Sequence, residues 1–291
     1  MSTVILRIVI NGLLTGGIFA LISLGLNLQY GVGRVLNIAH GEFIMLGAMI
    51  TWMLYVSAAE INPLVSLAIS GPFLFIIGFV LYRTLFTSLK TRAASPAAFE
   101  GNSLLVAFGL IYIIQSIALQ IWGGRPKMYT FLNFSIPFAG TSFPANRTVA
   151  FAFAVAIGVV FYIFVTRSRL GKAIRAAAQD SATAGLMGIN VKLVLALCFG
   201  FGALLAGMAG SLVSTYSSFS EVMGLPYAIA AIIVMVLGGL GSIPGSFIGG
   251  FAIGILSSIV HYYESSLVIP AYYALFLIIL LVRPQGILGK K

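Results

Sequence analysis

The chain has 291 residues, of which 60% are hydrophobic and only 8% charged. No soluble core of this size hides so much apolar surface, and apolar stretches of about 18 or more residues recur along it, so soluble multidomain folds are excluded. The formal net charge of +10 does not indicate nucleic acid, because the cations stand between the apolar runs, where they set orientation in a bilayer. The expected fold class is all-α, a polytopic helical membrane protein.

The first apolar run covers residues 5–30. Arg7 alone precedes most of it and no small-residue cleavage site follows, so it reads as a retained helix rather than a removed signal peptide. Residues 31–43, GVGRVLNIAHGEF, then interrupt the pattern with Arg34, His40 and Glu42 among glycines. A second run continues to residue 59, and Glu60, Asn62 and Pro63 predict a tight turn before a third helix over 64–85. Lys90 and Arg92 mark a polar loop, followed by a fourth helix over 103–122. A longer loop over 123–147 is rich in Pro, Phe and Asn, and a fifth helix spans 148–165.

Residues 167–192, RSRLGKAIRAAAQDSATAGLMGINVK, carry Arg167, Arg169, Lys172, Arg175 and Lys192, which is too much charge to cross a bilayer. The stretch is nevertheless patterned. Leu170, Ile174 and Ala177 fall on one side of a helix and Lys172, Arg175 and Gln179 on another. Asp180 predicts the cap of a second short helix over 181–187, which Gly188 ends, and Asn190 predicts the cap of the next apolar run. This is a surface platform of two short helices.

A sixth helix is expected over 193–215, with Glu221 and Pro226 in the loop after it. Apolar segments over 227–237 and 247–260 flank GGLGSIPG (238–245), which reads as a break between helices. A last helix over 267–282 ends at Arg283 and Pro284. The total is eight or nine spans, depending on whether the glycine-broken segments cross fully. The 33 glycines fit close helix packing. A weak echo links 37–48 with 242–252, each reading Ile, then Gly-x-Phe-Ile, then small residues.

Placing the platform in the cytoplasm and alternating puts Arg34, Arg83, Lys90, Arg92, the five platform cations, Arg283, Lys290 and Lys291 inside. Arg7, Arg125, Lys127 and Arg147 fall outside. Twelve cations inside against four outside fixes the C-terminus in the cytoplasm. Nine spans then place the N-terminus outside.

No G-x-x-x-x-G-K-[ST] phosphate cradle is present, and His40 and His261 fit no metal-ligand spacing, so neither a catalytic site nor a metal site is expected. Cys198 reads as an inert core thiol. Ionisable groups at membrane depth are costly unless paired or facing water, which makes His40 and Glu42 candidates for a transport pathway. A cytoplasmic turn with Glu42 near a helix N-terminus explains the same residues, and both readings stand. Asn27 and Gln29 are placed to line the same path. Glu221 and Glu264 read as solvated loop residues, and Arg125, Lys127 and Arg147 as a solvated outer loop.

Three blocks carry a family likeness: NGLLTGGIFALISLGLNLQYGVGRVLNIAHGEFIMLGA, LGKAIRAAAQDSATAGLMGINVKLV and VLGGLGSIPGSFIGG. Together they resemble bacterial ABC-importer permeases of the branched-chain amino acid family. The resemblance covers nearly the whole chain, 1–291, as a single transmembrane permease domain. It implies a permease subunit for leucine, isoleucine and valine, working by alternating access in the bacterial inner membrane. Its implied partners are a second homologous permease, two cytoplasmic ATPase subunits that bind and hydrolyse the ATP, a periplasmic substrate-binding protein and membrane lipid. No cofactor is implied for the chain itself. By resemblance, Asn37, His40 and Glu42 lie in a central broken helix near the pathway. Gly171, Arg175, Asp180, Ala184, Leu186 and Gly188 form the element that couples to an ATPase. An importer of another small amino acid, urea or an amide is the nearest alternative. An ion-coupled secondary transporter using His40 and Glu42 is the alternative from a different class.

Overall fold

Hydrocarbon offers no partner to backbone amides, so a chain this apolar must close its hydrogen bonds within helices. The computed structural model describes residues 2–57, 60–283 and 285–289 and is dominated by helix. In order these are α1 (Ser2–Gly33), α2 (His40–Val56), α3 (Pro63–Leu81), α4 (Thr87–Arg92), α5 (Pro96–Trp122), α6 (Ala145–Arg167), α7 (Arg169–Gln179), α8 (Ser181–Leu186), α9 (Val191–Ser214), α10 (Gly224–Gly238), α11 (Ile243–Tyr263) and α12 (Val268–Val282).

Among the described residues, seven helical stretches are long and apolar enough to cross a membrane, counting Pro63–Arg92 as one. Two apolar helices are shorter, α2 with 17 residues and α10 with 15. At 1.5 Å per residue these reach roughly 26 and 23 Å, short of the ~30 Å hydrocarbon layer. The expected eight or nine spans therefore turn on these two short helices. Each borders a break, α2 following residues 34–39 and α10 preceding residues 239–242. The sequence echo pairs α2 with α11 instead, which has 21 residues and is not one of the short helices.

Several expected boundaries shift. The third helix does not stop at residue 85. It widens into a π turn at Tyr82–Phe86 and runs on as α4, so Lys90 and Arg92 lie on a helix rather than in a loop. Both cations fall in its last turn, where they complement the helix dipole. The fourth helix starts earlier, at Pro96, because Ser95 accepts a hydrogen bond from the Ala98 amide and Pro follows at the first helical position. The loop over 123–144 contains an antiparallel hairpin, Ser135–Phe138 with Thr141–Pro144. Ala139 (φ 47°) and Gly140 (φ 78°) make its two-residue turn. Pro284, Lys290 and Lys291 lie outside the described residues.

Helix α9 is the axis of the bundle: 72% of its apolar window is buried, against 6% for Ser265–Val282. In lipid, association rests on close packing rather than hydrophobic burial, so glycine seams decide the crossings. A Cβ on Gly210 of α9 would sit 1.8 Å from the Ile44 carbonyl of α2, and one on Gly47 would sit 2.1 Å from the Gly207 carbonyl. A second seam joins α1 to α11, where a Cβ on Gly254 would fall 2.4 Å from Gly16 Cα. At neither seam is there room for a methyl group.

Candidate functional site

The cluster is built around two breaks in the helical ladder. After α1 ends at Gly33, residues 34–39 run back alongside it. Asn37 Nδ2 donates to Gln29 Oε1 at 3.3 Å, and three residues later His40 Nε2 lies 3.0 Å from the Ile22 carbonyl. Non-helical backbone at membrane depth is tolerated only where protein encloses it, and Asn37, Ala39 and His40 are all 0% exposed. Gln29 Nε2 also donates to the Phe199 carbonyl of α9 at 3.1 Å.

The second break, Gly239–Ser242, joins α10 to α11 and is held by Asn27. Its Nδ2 faces the carbonyls of Gly239 (3.3 Å) and Ser242 (2.9 Å) and the Ser246 hydroxyl (2.9 Å), while its Oδ1 accepts from the Gly241 amide at 2.5 Å. Gly239 (φ 107°) and Gly241 (φ 80°) adopt backbone that a side chain would strain. One buried amide thus substitutes for the hydrogen bonds that the helix loses.

Helices α2 and α10 meet through their N-termini. A Cβ on Gly41 would lie 2.0 Å from the Gly224 carbonyl, and one on Gly224 would lie 2.5 Å from Glu42 Oε1. Glu42 is 0% exposed. Its Oε1 accepts from Gln115 Nε2 of α5 at 3.0 Å, and its Oε2 has no partner among the described residues. Two positive helix ends converge on this carboxylate, which offsets part of its desolvation. Broken-helix transporters aim half-helix N-termini at anionic substrate groups. Here the chain's own carboxylate stands there.

Of the five expected pathway residues, Gln29 and Asn37 are bonded to each other, while His40, Glu42 and Asn27 each have separate partners. None lines any of the four described cavities. Sequence reasoning missed Gln115 and Gly224. Gln115 had a signal, as a carboxamide within an apolar spanning run. Gly224 had none, because its role is set by what packs against it.

The platform forms with the expected caps at Asp180 and Asn190 and a further one at Ser168. Ser168 Oγ accepts from the Gly171 amide (2.9 Å), and Asp180 Oδ1 accepts from the amides of Ala182 (2.9 Å) and Thr183 (3.2 Å), with Thr183 Oγ1 donating to Oδ2. Gly188 (φ 82°) ends α8, and Asn190 Oδ1 caps α9 through the Leu193 amide at 3.1 Å. A Cβ on Gly171 would lie 2.0 Å from the Val165 carbonyl, to which the Arg175 guanidinium also donates, so α7 is fastened to the end of α6. Ile174, Ala177 and Ala184 are buried against the bundle. Leu186 (88% exposed) and Met187 (80%) project away from it.

Three expected loop residues differ: Arg147 lies part-buried in the first turn of α6 rather than in a loop, and Lys127 and Glu221 turn inward. Lys127 is buried, with Nζ donating to the carbonyls of Trp122 (2.7 Å) and Arg125 (3.3 Å), which satisfies the end of α5 instead of facing solvent. Glu221 is part-buried beneath Gly124, and its Oε2 is enclosed. Glu264 is exposed as expected and accepts from the Ser266 amide and hydroxyl.

Residues 8–283 match the family described as "Branched-chain amino acid transport system / permease component". The chain is 31% identical to the high-affinity branched-chain amino acid transport system permease protein LivH of Salmonella typhimurium, over 96% of this chain and 94% of that one. It is also 31% identical to the corresponding permease protein BraD of Pseudomonas aeruginosa, over 98% and 96%. Among solved structures, PsaBC from Streptococcus pneumoniae in complex with Fab aligns with a TM-score of 0.50 at 12% identity, covering 94% of this chain and 91% of that one, a likeness of fold alone. A full-length match at this identity, on a helical bundle with two short apolar helices, makes the chain a member of the branched-chain amino acid transport permease family.

Proposed function

We propose that this chain is the membrane-spanning permease subunit of an ATP-driven importer for leucine, isoleucine and valine in the bacterial inner membrane, with the platform and the C-terminus in the cytoplasm. A second permease, two ATPase subunits and a periplasmic binding protein complete the machine. ATP is bound and hydrolysed by those ATPases, and this chain contributes no catalytic residue. The observation that carries the reading is the platform: two capped helices, fixed on their buried side, presenting Leu186 and Met187 as an exposed apolar knob. An apolar pair so exposed on a rigid support suits insertion into a groove on a cytoplasmic partner.

The packing supplies a route for the motion. Ile189 N bonds the Ala184 carbonyl at 3.1 Å and Asn190 caps α9, so displacing α8 pulls on the start of α9. Helix α9 in turn meets α2 along the Gly207–Gly210 seam, within a turn of Glu42. Closure of the ATPases would move α9 against α2 and part the two N-termini at Gly41 and Gly224. That exposes an anion-favouring end beside Glu42 as the pathway opens. The test replaces Leu186 and Met187 with serine in the assembled importer. Expected is loss of ATPase co-purification, or ATP hydrolysis without uptake, at unchanged permease stability. Normal assembly and uptake would refute the coupling role.

A further inference from the structure

On the face opposite the platform, a cavity of about 500 Å³ lies between the start of α1, the start of α6 and the end of α11. Arg7, Arg147 and His261 line it with the polar side chains of Asn11, Thr15 and Ser258, and no Asp or Glu does. Arg147 sits in the first turn of α6, where the helix dipole disfavours a cation, and stacks over the Tyr216 ring at 5.3 Å. Arg7 lines the same cavity, so two guanidinium groups share one space that holds no carboxylate among its lining residues.

A second cavity, of about 370 Å³, opens between α1, α10 and the start of α12. Its walls are apolar and aromatic, including Phe19, Leu225, Ile269 and Tyr273. Thr15 of the cationic cavity and Phe19 of this one stand about one turn apart on α1, so the two adjoin. Exposed Tyr262, Tyr263 and Tyr273 surround the pair. Exposed tyrosines on spanning helices mark the headgroup level of a bilayer. The cationic cavity is therefore at phosphate depth, and its apolar neighbour stands beside the acyl chains.

We infer that these two cavities together form a binding site for one anionic phospholipid, its phosphate between Arg7 and Arg147 and the upper part of one acyl chain against Phe19 and Tyr272. Charge complementarity selects the headgroup, and bidentate guanidinium contacts suit phosphate oxygens. The occupant joins α1, α6, α11 and α12, of which α12 has little other attachment to the bundle.

Native mass spectrometry of the full-length protein, released from nanodiscs of mixed phosphatidylglycerol and phosphatidylcholine, tests this. Expected is retention of phosphatidylglycerol over phosphatidylcholine by about tenfold or more, lost in Arg7→Gln/Arg147→Gln and largely kept in Arg7→Lys/Arg147→Lys. Should the glutamine pair fail to fold, Arg7→Gln alone, at an exposed position, gives the same readout. No headgroup preference in the wild type, or a preference unchanged in the glutamine variants, overturns the site. Displacement of the lipid by excess leucine also overturns it, assigning the cations to a substrate carboxylate instead.

Discussion

Asn27→Leu is the substitution that best separates scaffold from pathway. The native side chain is 1% exposed and serves the carbonyls of Gly239 and Ser242, the Ser246 hydroxyl and the Gly241 amide. Leucine fills a similar volume and serves none of them. Ser246 can turn to another acceptor, and the Gly239 and Ser242 carbonyls keep the backbone amides of Ser242 and Ser246, so the Gly241 amide is the group left without a partner at membrane depth. At about 1–3 kcal/mol for one orphaned buried group, the loss comes to about 2 kcal/mol. At roughly 2–4 °C per kcal/mol for a chain this long, the melting temperature in detergent should fall by about 4 °C or more. Uptake by whatever folded protein remains should keep its KM. A melting temperature within about 2 °C of wild type, combined with a raised KM, would refute the scaffold reasoning and place Asn27 against substrate.

Gly210→Ala forces a methyl to within 1.8 Å of the Ile44 carbonyl, so the α2–α9 crossing must open at a cost of about 1–3 kcal/mol or more; an unchanged melting temperature would contradict the seam. Glu42→Gln keeps the Gln115 contact but removes the charge between two helix ends, and uptake should fall about tenfold with assembly intact. Unchanged uptake kinetics would make Glu42 structural. At Asp180, hydrogen bonds from the Thr183 side chain and amide and the Ala182 amide hold the carboxyl below its ordinary range. Because the folded value is depressed, the cap is complete above the ordinary carboxylate pKa and is lost as pH falls through the lowered value. Hydrogen exchange in α8 should therefore stay protected in mild acid, and loss of protection above the ordinary carboxylate range would contradict the cap.

Much of this architecture was legible because it is local. Caps at Asp180 and Asn190, the stop at Gly188 and the apolar runs each depend on neighbours within one turn. Buried Ile174 and Ala177 follow from helical spacing once the platform is recognised. What was not legible depends on distant packing. Lys127 could not be known to turn inward, because its backbone is held there by pairing with the distant Phe219. The meeting of Gly41 with Gly224 joins residues far apart in the chain. Lys90 and Arg92 were misplaced for a different reason: charge suggested a loop, while a helix end accepts cations readily.

The central claim is that this permease draws its energy from cytoplasmic ATPases acting through the α7–α8 platform. The most direct measurement is uptake of labelled leucine into proteoliposomes holding the complete importer and loaded with ATP, with ionophores collapsing every ion gradient. The account predicts uptake that requires internal ATP and disappears in the Leu186→Ser/Met187→Ser variant. Gradient-driven uptake by this chain alone, without ATP or partner subunits, would contradict it.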